Sequence, residues 1–101
     1  MPENLVSIGA KAFAGCFNIE ELTFGERLQE IGDLAFLSCE GLNSVKINAD
    51  LQRIGNNAFA GCVNLNEVDF SGGNLILELH KQKVKSQFNG DVRNYISIAN
   101  S

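Results

Sequence analysis

No run of 18 or more apolar residues occurs in this chain, so the sequence offers no membrane-spanning helix. Asn-x-Ser/Thr glycan acceptors are missing. So is a phosphate-binding glycine loop: Ser71-Gly72-Gly73 is short, has no Gly-Lys after it, and reads as a turn. Histidine occurs once, at His80. The start, Met1-Pro2-Glu3-Asn4, has no positive patch followed by an apolar stretch and does not read as a signal peptide. Positive charge is scarce over residues 1–73, where Lys11, Arg27, Lys46 and Arg53 face ten acidic residues for a net of −6. Residues 74–101 reverse this to +2, giving −4 overall. An acidic body argues against a nucleic-acid platform, and the short lysine cluster at 81–85 reads as a solvated face. What the chain does have is 45% apolar and 20% charged residues over 101 positions. Those are the values of one globular domain, taken as 1–101.

Its dominant feature is a phrase repeated three times. Ile8-Gly9-x-x-Ala12-Phe13-x-x-Cys16 recurs as Ile31-Gly32-x-x-Ala35-Phe36-x-x-Cys39 and as Ile54-Gly55-x-x-Ala58-Phe59-x-x-Cys62, at an interval of 23 residues. Flanking columns repeat too: Leu5/Leu28/Leu51, Ile19/Leu42/Leu65, Leu22/Val45/Val68 and Phe24/Ile47/Phe70. A fixed period in this range predicts a solenoid. Apolar identity is kept where a side chain must fit its own copy above and below, and lost where it need only be soluble. The units run over about 5–27, 28–50 and 51–73, followed by a divergent segment, 74–101. About three units is the least number that stands alone.

Within each unit, segments 20–24, 43–47 and 66–70 alternate apolar and polar, as half-buried strands do. One strand per 23 residues pairs in parallel, because the return path is long enough only for a crossover. Ile8, Ala12, Phe13 and Cys16 are spaced like one face of a short helix or 3₁₀ turn. Gly9, Gly32 and Gly55 would supply a positive φ or a tight bend. The column Asn18/Gly41/Asn64 would supply a left-handed turn into the strand.

The two ends differ. After Phe70 the phrase stops, and 74–101 reads as a polar-ended cap. A helix over about Leu75–Phe88 would place Leu77, His80, Val84 and Phe88 on one face, with Asn89-Gly90 as its stop. A hairpin turning at Asn89-Gly90 is the alternative, but it sets Val92, Ile96 and Ile98 opposite Gln87, Lys83 and Lys81. With the helix, Tyr95-Ile96-Ser97-Ile98 becomes a fourth strand, Ile96 and Ile98 taking the places of Val68 and Phe70. At the other end the strand at 20–24 has no strand before it. It is expected to be an open sheet edge that either continues a longer array or joins a second copy.

Candidate chemistry is sparse. Cys16, Cys39 and Cys62 lie 23 residues apart, which gives a ladder and not a zinc site. Stacked side chains point the same way, whereas a disulfide needs a dihedral near ~90°. Buried thiols packing as small apolar residues are the expectation. A Cys62–His80 nucleophilic pair would require an exposed thiol beside the imidazole. Glu21/Ser44/Glu67 and Thr23/Lys46/Asp69 form two outward columns on the strands, where Lys46 interrupts the acids. No catalytic, cofactor or metal site is expected. If the chain has a binding surface, these six residues form it.

The repeat, with its Ala-Phe pair and its Cys at a fixed offset, resembles the BspA-like leucine-rich-repeat class over about residues 5–71. The resemblance implies an α/β repeat fold: a curved solenoid with one parallel sheet on the concave side, short helical turns on the convex side, and here a C-terminal helical cap. It departs from the family where a Pro often follows the strand; Gly25-Glu26, Asn48-Ala49 and Ser71-Gly72 stand there instead. The resemblance further implies a bacterial or protist origin, protein–protein interaction, cell-surface or secreted adhesive roles, and no shared catalytic residues.

Overall fold

Alternation decides where the strands form. In Glu21–Phe24 (β2), Leu22 and Phe24 are buried while Glu21 and Thr23 are exposed, and Ser44–Ile47 (β4) buries Val45 and Ile47 in the same phase. The computed structural model describes residues 3–71, 76–92 and 97–99. Glu67–Asp69 (β6) buries Val68. Successive strands pair in parallel with every residue set beside the one 23 positions on, as in Leu22↔Val45↔Val68.

A second parallel sheet, not foreseen in the single-sheet expectation, forms from two-residue strands: Ser7–Ile8 (β1), Glu30–Ile31 (β3) and Arg53–Ile54 (β5), in the order β1-β3-β5. It begins each repeated phrase, so every unit contributes a strand to each sheet.

The stretch between the sheets is not helical. Left-handed residues stand in two columns, Lys11/Leu34/Asn57 (φ 59°, 57° and 55°) and Gly15/Ser38/Gly61 (φ 75°, 56° and 77°). A right-handed helix cannot pass through them. They do not include Asn18, Gly41 or Asn64, where the left-handed turn was expected. The consequence is an alternating hydrogen-bond pattern. Lys11, Phe13 and Gly15 donate their N–H groups to the carbonyls of Asp33, Ala35 and Leu37 in the next unit (3.0, 2.8 and 2.7 Å). Ala12, Ala14 and Cys16 donate back to Gly9, Lys11 and Phe13 (3.2, 3.1 and 3.1 Å), as successive tight turns do. Leu34, Phe36 and Ser38 repeat the outward set onto Asn56, Ala58 and Ala60. Each inter-unit bond is worth ~1 kcal/mol net, so this row holds units together much as a sheet does.

Between the two sheets and the turn row lies one core. Phe24, Phe36, Phe59, Phe70, Leu28, Ile31, Leu42, Ile47 and Leu65 are all shut off from solvent. Rings of the phenylalanine column stack face to face, Phe13 on Phe36 at 5.3 Å and Phe36 on Phe59 at 5.1 Å. Gly32 and Gly55 are buried where units touch most closely: a Cβ on Gly55 would lie 2.3 Å from the backbone nitrogen of Asp33. Close approach, and not a positive φ, is what requires glycine there.

The C-terminal segment imitates the unit that would come next. Helix α1 spans Glu78–Asp91, later than the expected Leu75–Phe88, and runs through Asn89-Gly90 without stopping or turning a hairpin. Leu77 precedes it and is exposed; the inward face is Lys81, Val84 and Phe88. Phe88 adds a fourth ring to the column, 4.3 Å from Phe59. Asp91 Oδ2 accepts the Phe59 N–H at 3.0 Å, the position a next unit's carbonyl would fill, and Gln87 Nε2 fixes that carboxylate at 2.9 and 3.1 Å. Asp50 Oδ1 holds the other end of the helix, accepting the Leu77 N–H at 2.9 Å and lying 2.8 Å from His80 Nδ1. Strand β7, Ser97–Ala99, then joins the larger sheet, whose order is β2-β4-β6-β7. Its register sets Ile98 beside Val68, two residues from the predicted alignment of Ile96 with Val68. A two-residue slip keeps inward residues inward. Tyr95 and Ile96 lie outside the described residues.

Candidate interaction face

In-register pairing turns the alternating residues of the larger sheet into straight columns. Glu21, Ser44 and Glu67 stand side by side, and Ser97 extends that column. Thr23, Lys46 and Asp69 form the next. Their inward neighbours are fully packed, so the outward set stands on a rigid floor. The sequence placed all six residues together, and the structure brings all six onto one sheet face. The face carries three carboxylates and one ammonium.

Asp69 is the best-defined charge on it. Hydrogen bonds from the Ser71 hydroxyl and backbone N–H, the latter at 2.7 Å, hold its carboxyl below the ordinary value, with a small contribution from Lys46. Beside Thr23, a polar recess of about 510 Å³ opens between Glu3, Asn4, Gly25, Glu26, Arg27 and Asn48. Asn48 Oδ1 is buried at its edge with no hydrogen-bond partner among the described residues. Sequence reasoning missed this recess, because Gly25, Asn48 and Ser71 share a column but no chemistry, and a non-repeating column carries no signal.

The cysteine ladder has its own geometry. Cys39 Sγ donates to the Phe13 carbonyl and Cys62 Sγ to the Phe36 carbonyl, both at 3.1 Å. All three thiols are free. Burial pushes the Cys39 thiol above its ordinary value and the Cys62 thiol up to about 12. His80 is engaged with Asp50, so Cys62 and His80 have separate partners. Among the described residues no helix is long and apolar enough to cross a membrane.

The family profile described as BspA type leucine rich repeat region (6 copies) matches residues 1–82. The chain belongs to the BspA-type leucine-rich-repeat family. No curated protein and no solved structure matches it. Leucine-rich repeats generally mediate protein–protein interaction, and parallel strands with one C-terminal helix among the described residues make this an α/β repeat.

Proposed function

We propose that this BspA-type repeat is a protein-interaction module that acts without catalysis and uses the outward face of its larger sheet. The observation that carries the reading is the alignment of Glu21, Ser44, Glu67, Thr23, Lys46 and Asp69 into two outward columns on a packed floor, with Ser44 and Asp69 half-buried and the other four exposed. A stiff surface loses little entropy on binding, so its polar groups contribute specificity at low cost. The face has a net negative balance, which suits a partner with a basic contact surface and makes association faster at low salt. Placed on the recessed side of a curved solenoid, it would serve an adhesive protein at a cell surface or in secretion.

A photo-crosslinking side chain at Thr23 or at Lys46, compared with one at Lys83 on the cap helix, tests the face. Sheet positions should capture one partner, and Lys46→Glu should weaken that capture. Equal capture from Lys83 would remove the sheet as the site.

A further inference from the structure

The third unit and the cap helix do not match at every position, and the mismatch leaves a cavity. In the first two units Gly15 and Ser38 donate their N–H groups to the carbonyls of Leu37 and Ala60 in the unit that follows, each at 2.7 Å. Gly61 is their copy in the third unit and keeps the same left-handed backbone, with φ 77° against 75° and 56°. Its N–H is therefore aimed the same way, toward the cap. The cap meets one donor of that row, the Phe59 N–H, through Asp91 Oδ2. It supplies no acceptor for Gly61 among the described residues. In front of Gly61 a cavity of about 290 Å³ opens instead, walled by Ala60 and Val63 on the unit and by Gly90, Asp91 and Val92 on the cap. Both walls are interior to the chain: β6 follows the first and β7 follows the second.

The groups around this space select a ligand. Gly61 offers a donor. Asp91 offers an acceptor: its Oδ2 already takes the Phe59 N–H and the Gln87 Nε2 contact at 2.9 Å, while Oδ1 has only the Gln87 contact at 3.1 Å, and a carboxylate oxygen accepts about two bonds. Ala60, Val63 and Val92 give an apolar wall, and Val63 is exposed, so the cavity is reached from solvent. A phosphate or carboxylate would be repelled by Asp91. An amine would leave the Gly61 N–H unmet. A secondary amide meets both groups, its carbonyl accepting from Gly61 and its N–H donating to Asp91, with a methyl-sized acyl group against the apolar wall. The volume lies at the low end for small-molecule sites, ~300–1,000 Å³, which suits one such group.

We propose that this cavity binds the acetamido group of a small ligand, either an acetylated amino sugar or an acetylated amino acid. The site is separate from the sheet face proposed above, and each can fail without the other.

The test is a titration of the ¹⁵N-labelled full chain, read at the Gly61 amide by nuclear magnetic resonance. N-methylacetamide should shift the Gly61 resonance saturably and slow its exchange with water. Methyl acetate keeps the carbonyl and both methyl groups but has no N–H for Asp91; it should bind at least about tenfold more weakly, the value of one hydrogen bond to a charged acceptor. N-acetylglucosamine and N-acetylalanine methylamide then distinguish the sources: the tighter of the two names the ligand class, and either result supports the site. Gly90→Leu should abolish binding by filling the space, and the fold should tolerate it because a Cβ at Gly90 meets nothing within 4 Å. No saturable change at Gly61 with any of the amides overturns the proposal. So does equal binding of methyl acetate, a comparison that needs no variant, and so does binding that survives Gly90→Leu.

Discussion

Gly9, Gly32 and Gly55 occupy one column, and alanine there separates the effect of stacking from the effect of composition. A Cβ on Gly9 meets nothing within 4 Å. On Gly32 it would lie 2.6 Å from the Ala10 nitrogen, and on Gly55 2.3 Å from the Asp33 nitrogen and 2.4 Å from the Gly32 carbonyl carbon. These are backbone atoms and cannot rotate away. Restoring an ordinary contact of about 3.5 Å asks the second and third units to part by roughly 1 Å. That stretches the Gly55 N–H···Ile31 carbonyl bond, now 2.7 Å, past the range of a hydrogen bond. Losing one or two such bonds costs ~1 kcal/mol each, and overpacking adds ~1–3 kcal/mol. Gly55→Ala should therefore destabilise by about 2–4 kcal/mol, lowering the melting temperature by on the order of 10–20 °C for a domain of this size. Gly32→Ala should cost somewhat less. Gly9→Ala should be neutral or stabilising by about 0.4–1 kcal/mol, because alanine restricts only the unfolded chain there. Urea unfolding of reduced protein, followed by circular dichroism with an unchanged slope, gives the three values directly. Equal losses at Gly9 and Gly55, or a Gly55→Ala loss under about 0.5 kcal/mol, the range of an ordinary surface change, would refute the close stacking of units.

Further outcomes follow from the cap and the thiols. Asp91→Ala leaves the Phe59 N–H without its acceptor and should cost about 1–3 kcal/mol, while Asp91→Asn, which keeps an oxygen there, should cost less; thermal melts of both variants check this. In native protein Cys16 should alkylate first and Cys39 and Cys62 more slowly, and equal rates for the three would show that the ladder is not buried. The Cys62 thiol sits at about 12 in the folded chain against an ordinary 9.0, so the folded state holds its proton more tightly. Its contribution to stability is full below pH 9 and is lost as pH rises from there toward 12. Urea midpoints between pH 8 and 11 should therefore fall more steeply in the wild type than in Cys62→Ala.

What the sequence revealed was what the stack repeats. Strand positions, parallel pairing at +23 and the inward columns follow from side chains that must match their own copies, which the fixed spacing printed three times, and the six outward residues follow from the alternation between those inward columns. The second sheet was hidden because Ser7–Ile8 and its copies are two residues long, too short for alternation to register. The turn row was read as a short helix or 3₁₀ turn because Ile8, Ala12, Phe13 and Cys16 have that spacing; its i→i−3 bonds are there, but the left-handed residues that keep it from being a helix include Lys11, Leu34 and Ser38, types that carry no left-handed preference. The glycine column was seen, but its reason lies in the distance between units, which no single unit encodes. At the cap, Asn89-Gly90 read as a stop and nothing in the sequence marked Asp91 as the stand-in for a carbonyl, whereas the helix runs on to Asp91, whose carboxylate accepts the Phe59 N–H.

Units are joined through an alternating row of backbone bonds that ends at the third unit. Amide exchange by nuclear magnetic resonance reads this row residue by residue. Leu34, Phe36 and Ser38 should be protected, and Phe59 should be protected through Asp91, while the N–H groups of Asn57 and Gly61, which have no acceptor among the described residues, exchange fast. Protection of Asn57 and Gly61 equal to that of Leu34 and Ser38, or exchange of Leu34, Phe36 and Ser38 at unfolded rates, would contradict it.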